Sequence, residues 1–332
     1  MQKRVKMVDV ARAANVSRTA VSLILNQVPN VRIAEATRQR VLQVARELGY
    51  APGPSLDQIA PDGQRLFGLL INEISSAYPV DLIHGVQNQA DSQALQVIIQ
   101  VTDGLPDREL AALDTFARLG VEGVVYATTF TALVTPPPAL NRFRHVLLNC
   151  RRADRSGRAI LPAERHGGAL AAHHLIGLGR RRLAAITGDP WQFASIERQA
   201  GFRRTLGAAG LIPIAEVSGD WSHAGGYAAA SALLQRADRP DALFCHNDIM
   251  ARGALAAARD LGLAVPQAIA IIGYDDREFA ADLDISTITL PFGAMAERAM
   301  ADLAGKTDLP SGTLAVQGEL IARASTMAMP AS

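Results

Sequence analysis

Cysteine is nearly missing from this 332-residue chain: Cys150 and Cys245 stand alone, with no C-x-x-C or other paired spacing. That argues against a disulfide framework. No stretch approaches the roughly 18 apolar residues that a membrane span requires. The basic start, Met1–Lys6, is followed by no apolar segment of the kind a secretion signal carries. The expectation is a soluble, cytoplasmic protein that meets no membrane. Aromatic residues make up only 5%, yet hydrophobic residues reach 49%, enough for packed cores and too many for wholesale disorder. An excess of charge is missing as well. Lys and Arg number 33 against 32 Asp and Glu, a net of +1, which argues against a chain that coats a polyanion along its length.

Familiar catalytic signatures are absent. Gly305-Lys306-Thr307 ends like a phosphate-binding loop, but Met300 stands where the leading glycine belongs. No G-x-G-x-x-G opens a helix after a strand, and neither G-x-S-x-G nor H-E-x-x-H occurs. His173 and His174 are helix neighbours that point different ways, a poor pair of metal ligands. Cys245-His246 with Cys150 is a thin basis for a soft-metal site, so neither metal nor cofactor is expected.

What is present is unevenly placed. Residues 1–50 carry nine basic and three acidic side chains, a net of +6; the other 282 carry 24 basic and 29 acidic, a net of −5. Length allows two or three domains, and the basic head is the first of them. Met7, Val10, Ala11 and Ala14 follow the i, i+3, i+4, i+7 spacing of an amphipathic helix. Asn15 suits a tight turn and Ser17 an N-cap. A second helix, Arg18–Asn26, turns Val21, Ile24 and Leu25 inward and Thr19, Ser22, Leu23 and Asn26 outward, with Arg18 leading. A third, about Ala34–Leu48, repeats the pattern, and Gly49 ends it. Three short helices with a tight turn between the first two make either a helix-turn-helix module or an ordinary bundle with a solvated basic face. The outward face of the second helix favours the former, because short polar groups, one Arg and a Leu suit base edges and thymine methyls.

After the head, Ala51–Gly63 holds three prolines and two glycines, a linker composition. From Leu66 onward short apolar runs alternate with Ala- and Leu-rich helical stretches such as Ala169–Leu178 and Ala251–Leu261. Candidate strands are Leu66–Ile71, Leu95–Val101, Gly123–Tyr126, Val146–Asn149, Leu183–Thr187, Ile214–Val217, Ala242–Cys245 and Ile269–Gly273. Such alternation means an α/β body of doubly wound parallel sheets, in which ligands bind at the carboxyl ends of strands. Asn149, Asn247-Asp248 and Asp275-Asp276 fall at such ends. Singly each reads as a turn residue or helix cap; jointly, around one cleft, they make a polar pocket for hydroxyls.

Val5–Asn26 resembles the N-terminal signature of the LacI/GalR family of bacterial transcription regulators. Asp9-Val10-Ala11, Ala14-Asn15-Val16-Ser17, Ala20-Val21-Ser22 and Leu25-Asn26 meet its D-V-A, A-G-V-S, T-V-S and L-N, with Asn15 for the turn glycine and Ala20 for a threonine. Arg40–Pro52 is similar to the family's third helix and its exit. Gly219–Trp221, Asn247–Gly253, Gly273–Asp276 and Glu197–Leu206 continue the resemblance through the body.

The resemblance implies a three-helix head (1–50), a hinge (51–64) and two lobes like those of periplasmic sugar-binding proteins, residues 65–161 with 291–318 and 162–290 with 319–328. Arg18, Thr19 and Leu23 would read bases, with Ser22 and Asn26 near the DNA backbone, although Thr19 and Ser17 could equally bond phosphate. Ile59 would match the apolar wedge of the hinge helix, although Gly53, Asp57 and the lack of a basic residue before Arg65 leave a plain tether open. Effector contacts would fall at Tyr78, Asn149, Arg198, Trp221, Asn247 and Asp275. The sequence departs from the family at Ile74–Pro79, Ile249 and Leu290. The expected protein is a homodimeric repressor of a near-palindromic operator, controlled by a carbohydrate effector and having no enzymatic activity. No heptads near Ser325–Ser332 suggest a coiled-coil tetramer. An exported solute-binding protein would lack the basic head, and a sugar-acting enzyme would need an acid–base pair or nucleophile that does not stand out.

Overall fold

The computed structural model describes residues 5, 7–25, 33–48, 50, 64–74 and 80–327. Asn26, Gly49, Ile59 and Tyr78, together with the linker 51–63, lie outside the described residues. Two compact units divide the chain, Met1–Gly63 and Gln64–Ser332.

In the first unit, α1 (Met7–Ala13), α2 (Arg18–Leu25) and α3 (Glu35–Glu47) appear where the apolar spacing places them. Their inward residues Val10, Ala11, Ala14, Val21, Ile24, Val41 and Ala45 form one small core. The turn between α1 and α2 passes through Asn15 at φ 49°, a left-handed backbone that asparagine tolerates and most residues resist. Ser17 caps α2: its Oγ accepts a hydrogen bond from Ala20 N at 3.1 Å, satisfying one of the orphan donors of the first turn.

The second unit carries two parallel sheets. Its elements begin β1 (Leu66–Ile71), α4 (Asp81–Ser92), β2 (Gln96–Val101), α5 (Pro106–Leu119), β3 (Gly123–Leu133), β4 (Arg144–Arg151) and β5 (Arg158–Pro162). They continue with α6 (Glu164–Gly177), β6 (Leu183–Thr187), α7 (Phe193–Ala208), β7 (Ala215–Ser218), α8 (His223–Leu234), β8 (Ala242–Cys245), α9 (Asp248–Asp260) and β9 (Ala270–Ile272). The last are α10 (Glu278–Asp282), β10 (Thr287–Ile288), α11 (Phe292–Leu303), β11 (Gly312–Val316) and β12 (Leu320–Ile321).

One sheet has the order β11-β5-β4-β3-β1-β2, the other β7-β6-β8-β9, and β10 pairs antiparallel with β12 beside them. The chain passes between the two sheets three times: from β5 to α6, from β10 to α11 and from β11 to β12.

Strand alternation explains the layers. Ala184 and Ile186 of β6 join α8 and α9 in one core, while Leu183 and Ala185 join α6 and α7 in another. In the larger sheet, Leu69, Val125, Val146 and Ile160 face α4 and α11. The eight expected strands are present, with small shifts at their ends except in β3, which runs on past the expected Tyr126 to Leu133; β5, β10, β11 and β12 add four that periodicity does not mark. Among the described residues no helix is long and apolar enough to cross a membrane.

Candidate functional site

On the head, α2 presents Arg18 and Thr19 exposed, with Ser22 and Leu23 partly exposed beside them, while Val21 and Ile24 are buried beneath. The segregation is that of a helix whose outer face is kept for a partner. Ser17 is occupied as a cap through its oxygen, and its hydroxyl hydrogen remains available to an acceptor such as phosphate.

In the body, the carboxyl ends of strands from both sheets converge on a cavity of about 150 Å³. Asn149, Arg198, Trp221, Asn247 and Asp275, five of the six residues singled out from sequence, line it; Tyr78 is outside the described residues. Asn149 lies near the end of β4 at φ 58° and is buried. Its Nδ2 donates to Thr128 O at 2.9 Å, and its Oδ1 accepts from Thr131 Oγ1 at 2.7 Å. Trp221 follows β7 in a left-handed pair with Asp220, at φ 62° and 48°. Its indole packs against Gly188, where an added Cβ would come within 1.9 Å of the ring. Trp221 Nε1 is buried with no hydrogen-bond partner.

Asn247 is what its position in isolation suggests, the N-cap of α9. Its Oδ1 accepts from Met250 N at 2.7 Å and its Nδ2 donates to Trp221 O at 3.1 Å. The cap thereby ties α9 to the tryptophan. Among the described residues one Nδ2 hydrogen of each asparagine has no acceptor.

Arg198 sits at the centre and is 3% exposed. Its Nε and Nη2 form a bidentate pair with Glu164, at 2.7 and 3.0 Å, and its Nη1 donates to His246 O and, at 3.5 Å, to Asp275 Oδ1. The guanidinium stacks on Tyr274 with its carbon 3.6 Å from the ring centroid. The fork of donors that a guanidinium could offer a ligand is therefore largely occupied.

Glu164, in the first turn of α6 and also buried, is the main residue that sequence reasoning missed. Its one signal was a lone glutamate just before Gly167-Gly168. Those glycines explain its placement. A Cβ on Gly168 would fall 1.9 Å from Arg198 O, and one on Gly201 would fall 1.9 Å from Arg165 O. The helices α6 and α7 pack backbone against backbone, which sets Glu164 opposite Arg198. Thr129, Phe130 and Thr131 enter the cavity through a register shift in β3, and Gln192 enters from the loop before α7.

Burial shapes the acids and bases here. Desolvation pushes the Asp275 carboxyl up to about 7, with Arg198 opposing and Glu164 adding to the rise. Desolvation and then Asp275 push Asp248, fully buried at the start of α9, up to about 8. Asp248 accepts from Arg277 N and Thr287 Oγ1, each at 2.8 Å, so it braces the crossing near β10 rather than facing the cavity. His246 is held well below the usual imidazole range by burial and by Arg198, and so is neutral. Cys150 and Cys245 lie in different sheets, and burial raises the Cys150 thiol to about 12. Among the described residues no three His, Cys, Asp or Glu side chains group as metal ligands. The arrangement offers a polar, partly charged pocket with an aromatic wall, suited to holding a hydroxyl-bearing ring.

Comparison with known proteins agrees with both units. Residues 6–53 match the bacterial regulatory proteins of the lacI family, and residues 172–326 match the periplasmic binding protein-like domain. The HTH-type transcriptional repressor PurR of Aliivibrio salmonicida is 32% identical over 281 residues, covering 82% of this chain and 83% of the repressor. PurR of Aliivibrio fischeri is 30% identical over 330 residues, covering 96% and 97%. A crystal structure of the lac repressor dimer bound to operator and an anti-inducer superposes with a TM-score of 0.70 at 25% identity, covering 98% of this chain and all of that one. The regulator CelR in complex with cellobiose superposes at 0.65 and 26%, covering 97% and 100%. The chain belongs to the LacI family of bacterial regulatory proteins: it is a DNA-binding transcriptional repressor with an effector-binding body, and not an enzyme.

Proposed function

We propose that this repressor acts in the cytoplasm as a homodimer on a near-palindromic operator and that a small carbohydrate in the body cavity controls its grip. In this reading residues 1–50 are the reading head, 51–64 the hinge, and the two lobes divide near residues 161, 290 and 318. Arg18, Thr19 and Leu23 read bases, Ser17, Ser22 and Asn26 contact the DNA backbone, and Ile59 serves as the wedge. Asn149, Arg198, Trp221, Asn247, Asp275 and Tyr78 form the effector site. Convergence of polar strand ends from both sheets on one cavity carries the proposal, since a ligand there touches both lobes and biases how they sit. The operator-bound dimer of the lac repressor and the cellobiose complex of CelR support it by likeness.

Titrating fluorescent operator DNA with the full chain, with and without a panel of sugars, tests it. At least one sugar is expected to shift operator affinity by about 5- to 150-fold, the usual range of coupling between sites. A sugar that binds the cavity yet leaves operator affinity unchanged would remove the allosteric claim.

A further inference from the structure

We infer that the cavity selects uncharged, hydroxyl-bearing ligands and rejects phosphorylated or carboxylated ones, and that Glu164 imposes this choice by holding the guanidinium fork of Arg198. The inference rests on the effector-site reading above and names the ligand class for it.

Donor counting makes the case. A guanidinium has five N–H donors. Glu164 takes two, His246 O one and Asp275 one, so among the described residues a single N–H of Arg198 is left without a partner. An anion is best held by a bidentate fork, and here that fork already has its carboxylate. Among the described residues Arg198 is the one cation that lines the cavity, whereas Glu164 and Asp275 both line it. A phosphate or carboxylate entering would meet two acids with no counter-charge to spare. Its desolvation would go uncompensated.

The remaining groups favour neutral hydroxyls. Among the described residues the unused donors of the lining are one Nδ2 hydrogen each on Asn149 and Asn247 and the amide of Gln192. Asp275, whose side chain is 13% exposed, offers an acceptor. A hydroxyl both donates and accepts, so it can answer each of these, and the Trp221 face takes a ring. The pairing that closes the fork depends on the tight α6–α7 packing at Gly168 and Gly201, so Arg198 has little room to swing free.

The test uses inorganic phosphate as probe, against chloride at equal ionic strength, on the full chain in a Trp191→Phe background. Trp191 is 69% exposed, and its replacement leaves Trp221 as the reporting fluorophore. The unaltered cavity is expected to give no saturable Trp221 response and no phosphate-dependent rise in Tm. Glu164→Gln, which keeps the shape and removes the charge, is expected to gain saturable phosphate binding tighter by about tenfold or more, and Arg198→Gln added to it should abolish the gain. Asp275→Asn should remain blind to phosphate, because the fork stays closed. Saturable phosphate binding with Glu164 intact would overturn the inference, as would a gain in Asp275→Asn or a folded Glu164→Gln that gains nothing. If Glu164→Gln does not fold, the Glu164-intact and Asp275→Asn arms still decide. Operator affinity measured in the same samples separates the two readings. Phosphate bound in Glu164→Gln without any change at the operator keeps the ligand selectivity and removes the effector role. Phosphate bound with Glu164 intact and shifting operator affinity does the reverse.

Discussion

Arg198 is engaged by its own protein before any ligand arrives, and this changes what its substitution measures. Removing one partner of a buried ion pair strands the other, at a typical cost of about 3–5 kcal/mol. Arg198→Ala is therefore expected to lower stability by that amount in chemical denaturation, and to lose effector response partly for that reason. Replacing Arg198 and Glu164 together by methionine is expected to cost less than the sum of the single losses, since no lone charge is left behind. At Asp275 the carboxyl is held up to about 7 from its ordinary 3.8. The native state thus binds this proton more tightly than the unfolded chain, and the stability it contributes at low pH is lost as pH rises towards 7. A ligand hydroxyl donating to Asp275 favours the charged form. Effector affinity is expected to rise with pH through about 7, with proton release on binding below it. Calorimetric titration near pH 6 in two buffers of different ionisation enthalpy checks this; buffer-independent heats would show that Asp275 does not meet the ligand.

Elements were legible where burial is complete. The strands β1, β6 and β8 coincide with their expected spans and are buried at every position, so an unbroken apolar run marked them. By contrast, β11 alternates half-buried and exposed positions at the sheet edge, and β10 and β12 have two residues each. Their strand character comes from partners supplied by the crossings, which no local pattern records. The cavity divides the same way. Asn247 and Asp275 stood at strand ends and were visible, whereas Glu164 reaches the site only because two helices approach through glycines far apart in sequence. This approach is itself testable. Gly168→Ala places a methyl against the Arg198 backbone, and relief requires the helices to separate. A loss of at least about 1–3 kcal/mol is expected by analogy with overpacked cores. Trp221 fluorescence should change too as Arg198 moves beneath it, and an unaltered spectrum at full stability would mean the helices have slack.

At the scale of the whole molecule, charge decides where DNA is held. The head's +6 and the body's −5 nearly cancel in the total, yet only nearby cations displace counterions from a duplex. Between Arg46 and Arg65 the chain carries no basic side chain, and Glu47, Asp57 and Asp62 fall in that gap. If the linker approaches the minor groove, Asp57 lies among phosphates and weakens binding to every sequence alike. Asp57→Lys is then expected to tighten both operator and non-specific binding and to steepen the slope of log K against log salt by about 1 for the phosphate it neutralises. Arg18→Ala should behave in the opposite way, altering the preference among operator sequences with little change in slope, because a base contact carries the information and a phosphate contact carries the charge. Anisotropy titrations of operator and scrambled DNA across salt, with the two variants side by side, separate these effects. An unchanged slope in Asp57→Lys would place the linker away from the duplex and leave the +6 of the head as the source of the protein's electrostatic hold.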